Sequence, residues 1–278
     1  MERLKSCLLE MMDRFHRYCV ENGLSYYLVE GSMLGAARHH GYIPWDDDID
    51  IAMPRKDYEA LKKLIGGKVL EGRYLLESEE TDKPDYFYPY AKLYDVRTTQ
   101  IEKRKRNVVR GVGIDIFPLD GIGDSKEEAE RNYRPIGKKI DLLTARVVAV
   151  REGRKWYKNL AVRVLQALPK SFADEKKLLR EISELSRQRD FDKSGFVCNA
   201  VSAYRQKEIM PRAIYGAPTL YRFENIEVYG VEDYEGYLTH LYGDWRQLPP
   251  EDKRATSHMF ESVDFDHSFL QNEEYLSL

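Results

Sequence analysis

The residues best able to do chemistry lie in one run, which opens at Gly31-Ser32 and closes on Asp46-Asp47-Asp48-Ile49-Asp50-Ile51-Ala52-Met53. Side chains alternate across a strand, so a strand over 48–53 sends Asp48 and Asp50 to one face and Ile49, Ile51 and Met53 to the other. Two carboxylates about 7 Å apart along a strand repel each other. A divalent cation held between their oxygens relieves that repulsion. Magnesium is the common choice beside phosphates, and manganese accepts the same oxygen ligands. Asp46 and Asp47 precede this strand and are expected to matter less. The pattern recurs at Ile114-Asp115-Ile116, where a lone carboxylate sits between two core-facing isoleucines. A charge seldom stays there unpaired, so Asp115 reads as a third ligand or as the acceptor of a proton from an attacking hydroxyl. Pairing of Asp115 with a nearby Lys or Arg is the plain structural alternative.

Upstream, Gly31-Ser32 followed by a helix offers backbone N–H groups and a hydroxyl to a phosphate at the helix N-terminus. Ser32 lies 16 residues before Asp48, so a hairpin-like return brings both to one end of neighbouring strands. Arg38, one to two turns into that helix, and Lys92 are candidates for neutralising a pyrophosphate. Tyr86, Phe87, Tyr88, Tyr90 and Tyr94 form an aromatic stretch. It reads either as a cation–π cage for a quaternary ammonium or as core packing on a strand, with Trp45 as core beside the site. His258 is a weaker candidate for substrate contact.

These residues need elements to hold them. Leu4, Leu8, Met11, Phe15 and Cys19 recur at helical spacing, so the chain opens on a helix over 2–22 that packs on something, with Gly23 ending it. A strand over 26–30, a helix over 33–39, the strand over 48–53 and a helix over 56–65 follow in α/β alternation. An extended aromatic stretch over 86–95 and a strand over 113–117 closed by Pro118 come next. Residues 125–185 turn to helical patterns without strand alternation. The expected division is a catalytic core over 1–124, a basic helical insertion over 125–195 and a C-terminal segment over 196–278 that packs on and completes the core.

Composition bounds the rest. The 278 residues are 42% hydrophobic and 12% aromatic with 11 Pro, which excludes a disordered or fibrous chain. The 44 basic and 47 acidic residues leave a net charge of −3, so no global field draws the chain to nucleic acid. Three scattered cysteines give neither a disulfide framework nor a zinc site. The N-terminus lacks an apolar signal-peptide core and no apolar run approaches the length of a membrane span, so a cytoplasmic chain is expected. Residues 131–170 carry 11 basic residues against Asp141 and Glu152, a local charge of +9 that leaves −12 for the remainder. With interleaved apolar residues this reads as amphipathic helices for an anionic membrane surface. A basic groove for glycan phosphates and a plain solvated face are its rivals.

The run Gly31-Ser32-x-Leu34-Gly35-Ala36-x-Arg38-His39-x-Gly41-x-Ile43-Pro44-Trp45-Asp46-Asp47-Asp48-Ile49-Asp50 closely resembles the LicD family of phosphotransferases, a branch of the nucleotidyltransferase-fold superfamily. Tyr90-Ala91-Lys92-Leu93, residues 115–121, Tyr237-Leu238, Tyr242-Gly243-Asp244 and Leu248-Pro249-Pro250 resemble it too. The resemblance covers both ends of the chain and not the helical middle. It implies an α/β fold with a nucleotidyltransferase-like mixed sheet. It further implies a magnesium-dependent enzyme that moves phosphocholine, or another phospho-alcohol, from CDP-choline or a related CDP-alcohol to a glycan hydroxyl, releasing CMP. The acceptor would be a cell-surface glycan, lipopolysaccharide or teichoic-acid precursor, lipid-linked or free, met at the inner face of the membrane. By this analogy Asp48 and Asp50 are the metal-binding pair, Asp115 the third carboxylate, and Gly31 and Ser32 the phosphate-binding turn. Transfer of a nucleotide unit from an NTP to a small molecule, and a non-catalytic glycan- or membrane-binding role, are the alternatives.

Overall fold

The computed structural model describes residues 1–150, 155–169, 173–254 and 260–276. Helix α1 (Glu2–Asn22) buries Leu4, Leu8, Met11, Phe15 and Cys19 along one stripe, and Gly23 ends it in the left-handed conformation at φ 65°. Strand β1 (Tyr27–Leu28) is shorter than the sequence suggests, because Glu30 takes φ 50° and starts helix α2 (Glu30–His39) at once. The helix therefore opens three residues before the expected Met33. Strand β2 (Asp50–Pro54) leads into helix α3 (Arg55–Ile65). It begins two residues later than expected, yet the alternation holds, with Ile49, Ile51 and Met53 fully buried. Strands β3 (Val69–Leu70), β4 (Tyr74–Glu77), β5 (Ala91–Asp95), β6 (Thr99–Glu102), β7 (Val108–Arg110) and β8 (Gly113–Gly123) follow.

The insertion supplies helices α4 (Lys126–Val147), α5 (Trp156–Ala167) and α6 (Glu175–Ser186). Beyond it lie β9 (Phe196–Cys198), β10 (Met210–Pro211), β11 (Thr219–Phe223), β12 (Ile226–Gly230), helix α7 (Tyr234–Tyr242) and β13 (Phe260–Asp264). One mixed sheet runs β11-β12-β1-β2-β8-β5-β4-β3, with β9 and β10 continuing from the far end of β8. Its centre pairs β2 and β8 in parallel, and its β12 edge is supplied by chain from beyond the insertion. Strand β13 joins β6 and β7 in a small second sheet. Among the described residues no helix is long and apolar enough to cross a membrane.

Pro118 does not close its strand. Pairing with β5 ends at Ile116 and pairing with β9 starts at Asp120, so the missing N–H of Pro118 falls in a gap on that side. On the other side Pro118 keeps its register against Met53.

The loop that carries Asp46, Asp47 and Asp48 is folded back by close backbone packing. A Cβ at Gly35 would stand 2.4 Å from the Gly41 carbonyl oxygen, and Gly41 N–H donates to the Gly35 carbonyl at 3.4 Å. Glu224 clamps the same turn, its N–H donating to the His40 carbonyl at 2.7 Å and its carboxylate accepting from Tyr42 N–H at 3.0 Å. Gly35→Ala should therefore cost about 2 kcal/mol of stability, the usual penalty of overpacking. A urea-denaturation midpoint matching the unsubstituted chain would show that the turn does not need this contact.

Candidate active site

A cavity of about 610 Å³ opens where the central strands leave the sheet. Five acids line it, Glu30, Asp46, Asp48, Asp50 and Asp115, together with the rings of Trp45, Tyr90, Phe117, Tyr204 and Tyr242. Its far wall comes from Ile140 and Thr144 of α4. The β2–β8 pairing sets Asp50 directly opposite Asp115, and the β5–β8 pairing sets Lys92 on the other side of Asp115. Adjacent strands lie about 4.8 Å apart, so Asp115 is a true neighbour of Asp50. On the reverse of both strands Ile49, Ile51, Ile114 and Ile116 are fully buried and fix which face the acids take.

The charges are arranged to coexist. Lys92 Nζ lies 2.6 Å from Asp115 Oδ1 and 4.7 Å from the centre of the Tyr88 ring. Burial opposes the Lys92 charge, but the Asp115 and Glu102 carboxylates outweigh it and raise its pKa. Burial first, and then the negative charge of Asp48, Glu30, Asp115 and Asp46, pushes the Asp50 carboxyl well above the usual carboxylate range. Burial likewise pushes Glu30 up to about 7, against the pull of a Ser202 hydrogen bond. Behind Glu30, burial and the Glu30 charge hold Glu208 well above its ordinary value. Asn199 Nδ2 donates to Glu30 Oε1 at 3.4 Å, and Glu30 N–H donates to the Tyr237 hydroxyl at 3.0 Å.

Such a set of hard oxygen donors suits a divalent cation such as magnesium. The tightest group is Asp46, Asp47 and Asp48, each of which offers an oxygen within 4.8 Å of the others. The sequence places Asp46 and Asp47 outside the metal-facing set. In the structure Asp46 lines the cavity beside Asp48, and Asp47 is buried. Gly31 allows this approach, since a Cβ there would meet Asp46 Oδ2 at 2.8 Å.

The other residues singled out in the sequence divide. Gly31 lines the cavity in the first turn of α2. Ser32 is buried and its hydroxyl accepts from Asp50 N–H at 2.9 Å, so it holds the start of β2 rather than facing a ligand. Arg38 lies outside the cavity wall, because its guanidinium is drawn to the Trp245 carbonyl at 2.6 Å and to His39 at 3.1 Å. Arg205 is the cation at the wall, with φ 59° and its guanidinium 2.8 Å from Asp141. His258 lies outside the described residues. Of the aromatic stretch only Tyr90 reaches the cavity; Tyr86, Phe87, Tyr88 and Tyr94 are buried, and Tyr88 faces Lys92. Trp45, read from sequence as core, is half-buried and forms part of the wall. Glu30 reads in the sequence as the last residue of a strand, and nothing in the sequence marks Ser202, Tyr204 or Arg205.

Comparison with known proteins agrees with this geometry. Residues 23–133 match the LicD/FKTN/FKRP nucleotidyltransferase domain, which spans the central strands and every acid of the cavity. The chain is 28% identical over 258 residues to the lipopolysaccharide cholinephosphotransferase LicD of Haemophilus influenzae, covering 91% of this chain and 94% of that protein. It is also 38% identical over 74 residues to the ribitol 5-phosphate transferase FKRP of Homo sapiens and of Mus musculus, covering 24% of this chain and 15% of each relative. Residues 23–133 thus carry a LicD/FKTN/FKRP nucleotidyltransferase domain, and the chain is similar over nearly its full length to a LicD phosphotransferase.

Proposed function

We propose that the chain transfers a phospho-alcohol, phosphocholine first among them, from a CDP-linked donor to a hydroxyl of a surface-glycan precursor, releasing CMP. The observation that carries this reading is one cavity walled by five carboxyl groups and five aromatic rings. Carboxylates serve the phosphates through a cation, and ring faces suit a quaternary ammonium. The relatives point the same way, one named for cholinephosphate and the other for ribitol 5-phosphate.

Asp46, Asp48 and Asp50 would hold magnesium, which when bound offsets charge on the donor phosphates. The first turn of α2 at Gly31 presents its positive end to the donor. Tyr90, Trp45 and Tyr242 pack about the alcohol. Asp115, on the neighbouring strand, accepts the proton as the acceptor oxygen bonds to the phosphorus carrying the alcohol and the bond from that phosphorus to CMP breaks. Lys92 positions Asp115 for this role at 2.6 Å.

Incubation of CDP-choline, CDP-ethanolamine, CDP-ribitol or NTPs together with a panel of glycan acceptors should release CMP from one of the CDP-alcohols and no pyrophosphate. Pyrophosphate from an NTP would replace this reading with nucleotidyl transfer. Asp48→Asn and Asp50→Asn should each lower turnover by about a thousandfold or more with the fold intact. The structure extends this to Asp46→Asn, for which the sequence alone expects a milder effect. Near-normal turnover in folded Asp48→Asn or Asp50→Asn would remove the metal assignment.

The raised carboxyls also make metal-free stability depend on pH. Glu30 binds its proton more tightly folded than unfolded, so its contribution is whole below its ordinary value of 4.5 and is lost as the pH rises through about 7. Chelated protein should therefore weaken across that range, by up to about 1.4 kcal/mol per pH unit for each such proton. Glu30→Gln should flatten the slope. Magnesium should stabilise more above pH 7, where Glu30 is ionised, than below it. Urea midpoints measured with chelator and with magnesium at several pH values check both, and a slope unchanged by Glu30→Gln would relocate the titrating group.

A further inference from the structure

Helix α5 presents two different faces. At about 100° per residue, Val162 with Asn159 and Gln166 makes one side, while Trp156, Tyr157, Leu160 and Val164 make the opposite side. Val162 is buried. On the outer side Trp156 is 75% exposed, Tyr157 49%, Leu160 53% and Val164 55%. The inner side is pinned to α4. Gln166 Nε2 donates to the carbonyls of Ala145 at 3.1 Å and Val148 at 2.8 Å, and Arg146 Nη1 donates to those of Leu165 at 2.8 Å and Leu168 at 2.7 Å. The outer stripe therefore has a fixed direction.

We infer that this stripe docks the protein on an anionic lipid bilayer. Tryptophan and tyrosine suit the headgroup level, where one edge is apolar and the other wet. Lys155, Lys158 and Arg163 beside the stripe are exposed, and α5 contains no acidic residue. Exposed Lys105 and Arg106 add charge nearby, since Lys105 N–H donates to the Val147 carbonyl at the end of α4. A second copy of the chain fits the stripe less well, because a two-fold pairing of α5 with itself sets like charges together.

The structure also revises the charge count for this segment. Lys139 is 2.6 Å from Glu181 and Arg146 is buried 3.0 Å from Glu175, so two of the segment's basic residues are already paired. Arg154 lies outside the described residues. Arg131, Arg134 and Lys138 stay exposed on α4, and the charge that flanks the stripe itself lies on α5 and the β6–β7 turn.

The inference does not rest on the proposed reaction, and its test reads binding rather than turnover. Full-length protein is sedimented with vesicles of phosphatidylcholine alone and with phosphatidylglycerol added. Partition should rise at least about tenfold on the anionic vesicles and fall as salt is raised, because each basic residue near such a surface contributes about 1 kcal/mol. The triple variant Trp156→Ser, Leu160→Ser, Val164→Ser and the triple variant Lys155→Glu, Lys158→Glu, Arg163→Glu should each lose about tenfold or more. All six side chains are exposed. Both variants should therefore keep the urea midpoint and the nucleotide release of the unsubstituted chain with a soluble acceptor. Equal partition on neutral and anionic vesicles, or unchanged binding of both variants, would overturn the inference. So would a dimer in sedimentation velocity that the serine variant dissolves, which would assign the stripe to a second copy.

Discussion

Mutual repulsion among the acids of one cavity is the constraint around which the rest of the molecule is arranged. Glu30, Asp46, Asp48, Asp50 and Asp115 line a single space, and in metal-free protein their charges oppose one another. The fold answers in three ways. Lys92 pairs with Asp115 across the β5–β8 register. Burial pushes Glu30, Glu208 and Asp50 toward their neutral forms. The buried isoleucines on the reverse of β2 and β8 prevent either strand from turning its acids away. A cation bound here would relieve that repulsion, and its affinity and the stability of the sheet centre would then be coupled.

Much of this was legible because strand alternation is strict. Ile49 and Ile51 about Asp50, and Ile114 and Ile116 about Asp115, identify both acids as facing away from the core without any knowledge of topology. Their pairing with each other was not legible, since parallel register between strands more than 60 residues apart depends on everything between them. Pro118 shows the same limit. Read locally it ends a strand, and only the gap between β5 and β9 explains why the strand continues. Glu30 was hidden by an equally local rule, because a residue between a strand and Gly31 reads as the last strand position until its φ of 50° is known.

The aromatic residues carry a related lesson. A cluster in sequence, from Tyr86 to Tyr94, contributes a single ring to the cavity, whereas the other walls come from Trp45, Phe117, Tyr204 and Tyr242, scattered across nearly 200 residues. Burial explains the difference. Tyr86, Tyr88 and Tyr94 are buried, and of these Tyr88 faces Lys92, so it acts on the site through the position of that lysine. A binding wall selects side chains by where loops converge, and convergence leaves no trace in local composition.

The insertion belongs to this convergence. Helix α4 offers Ile140 and Thr144 to the cavity, and the carbonyls of Ala145 and Val148, within about a turn of Thr144, hold Gln166 of α5. The same helix is thus one wall of the acidic cavity and the seat of the exposed apolar stripe. Whatever α5 contacts is held at a fixed distance from the acids, because α4 is in turn locked to α6 through Lys139–Glu181 and Arg146–Glu175. A surface that received α5 would therefore stand at a set height from the five acids of the cavity. In that arrangement the helical middle, which lies mostly beyond the matched domain over 23–133, links the acidic cavity to the outer surface.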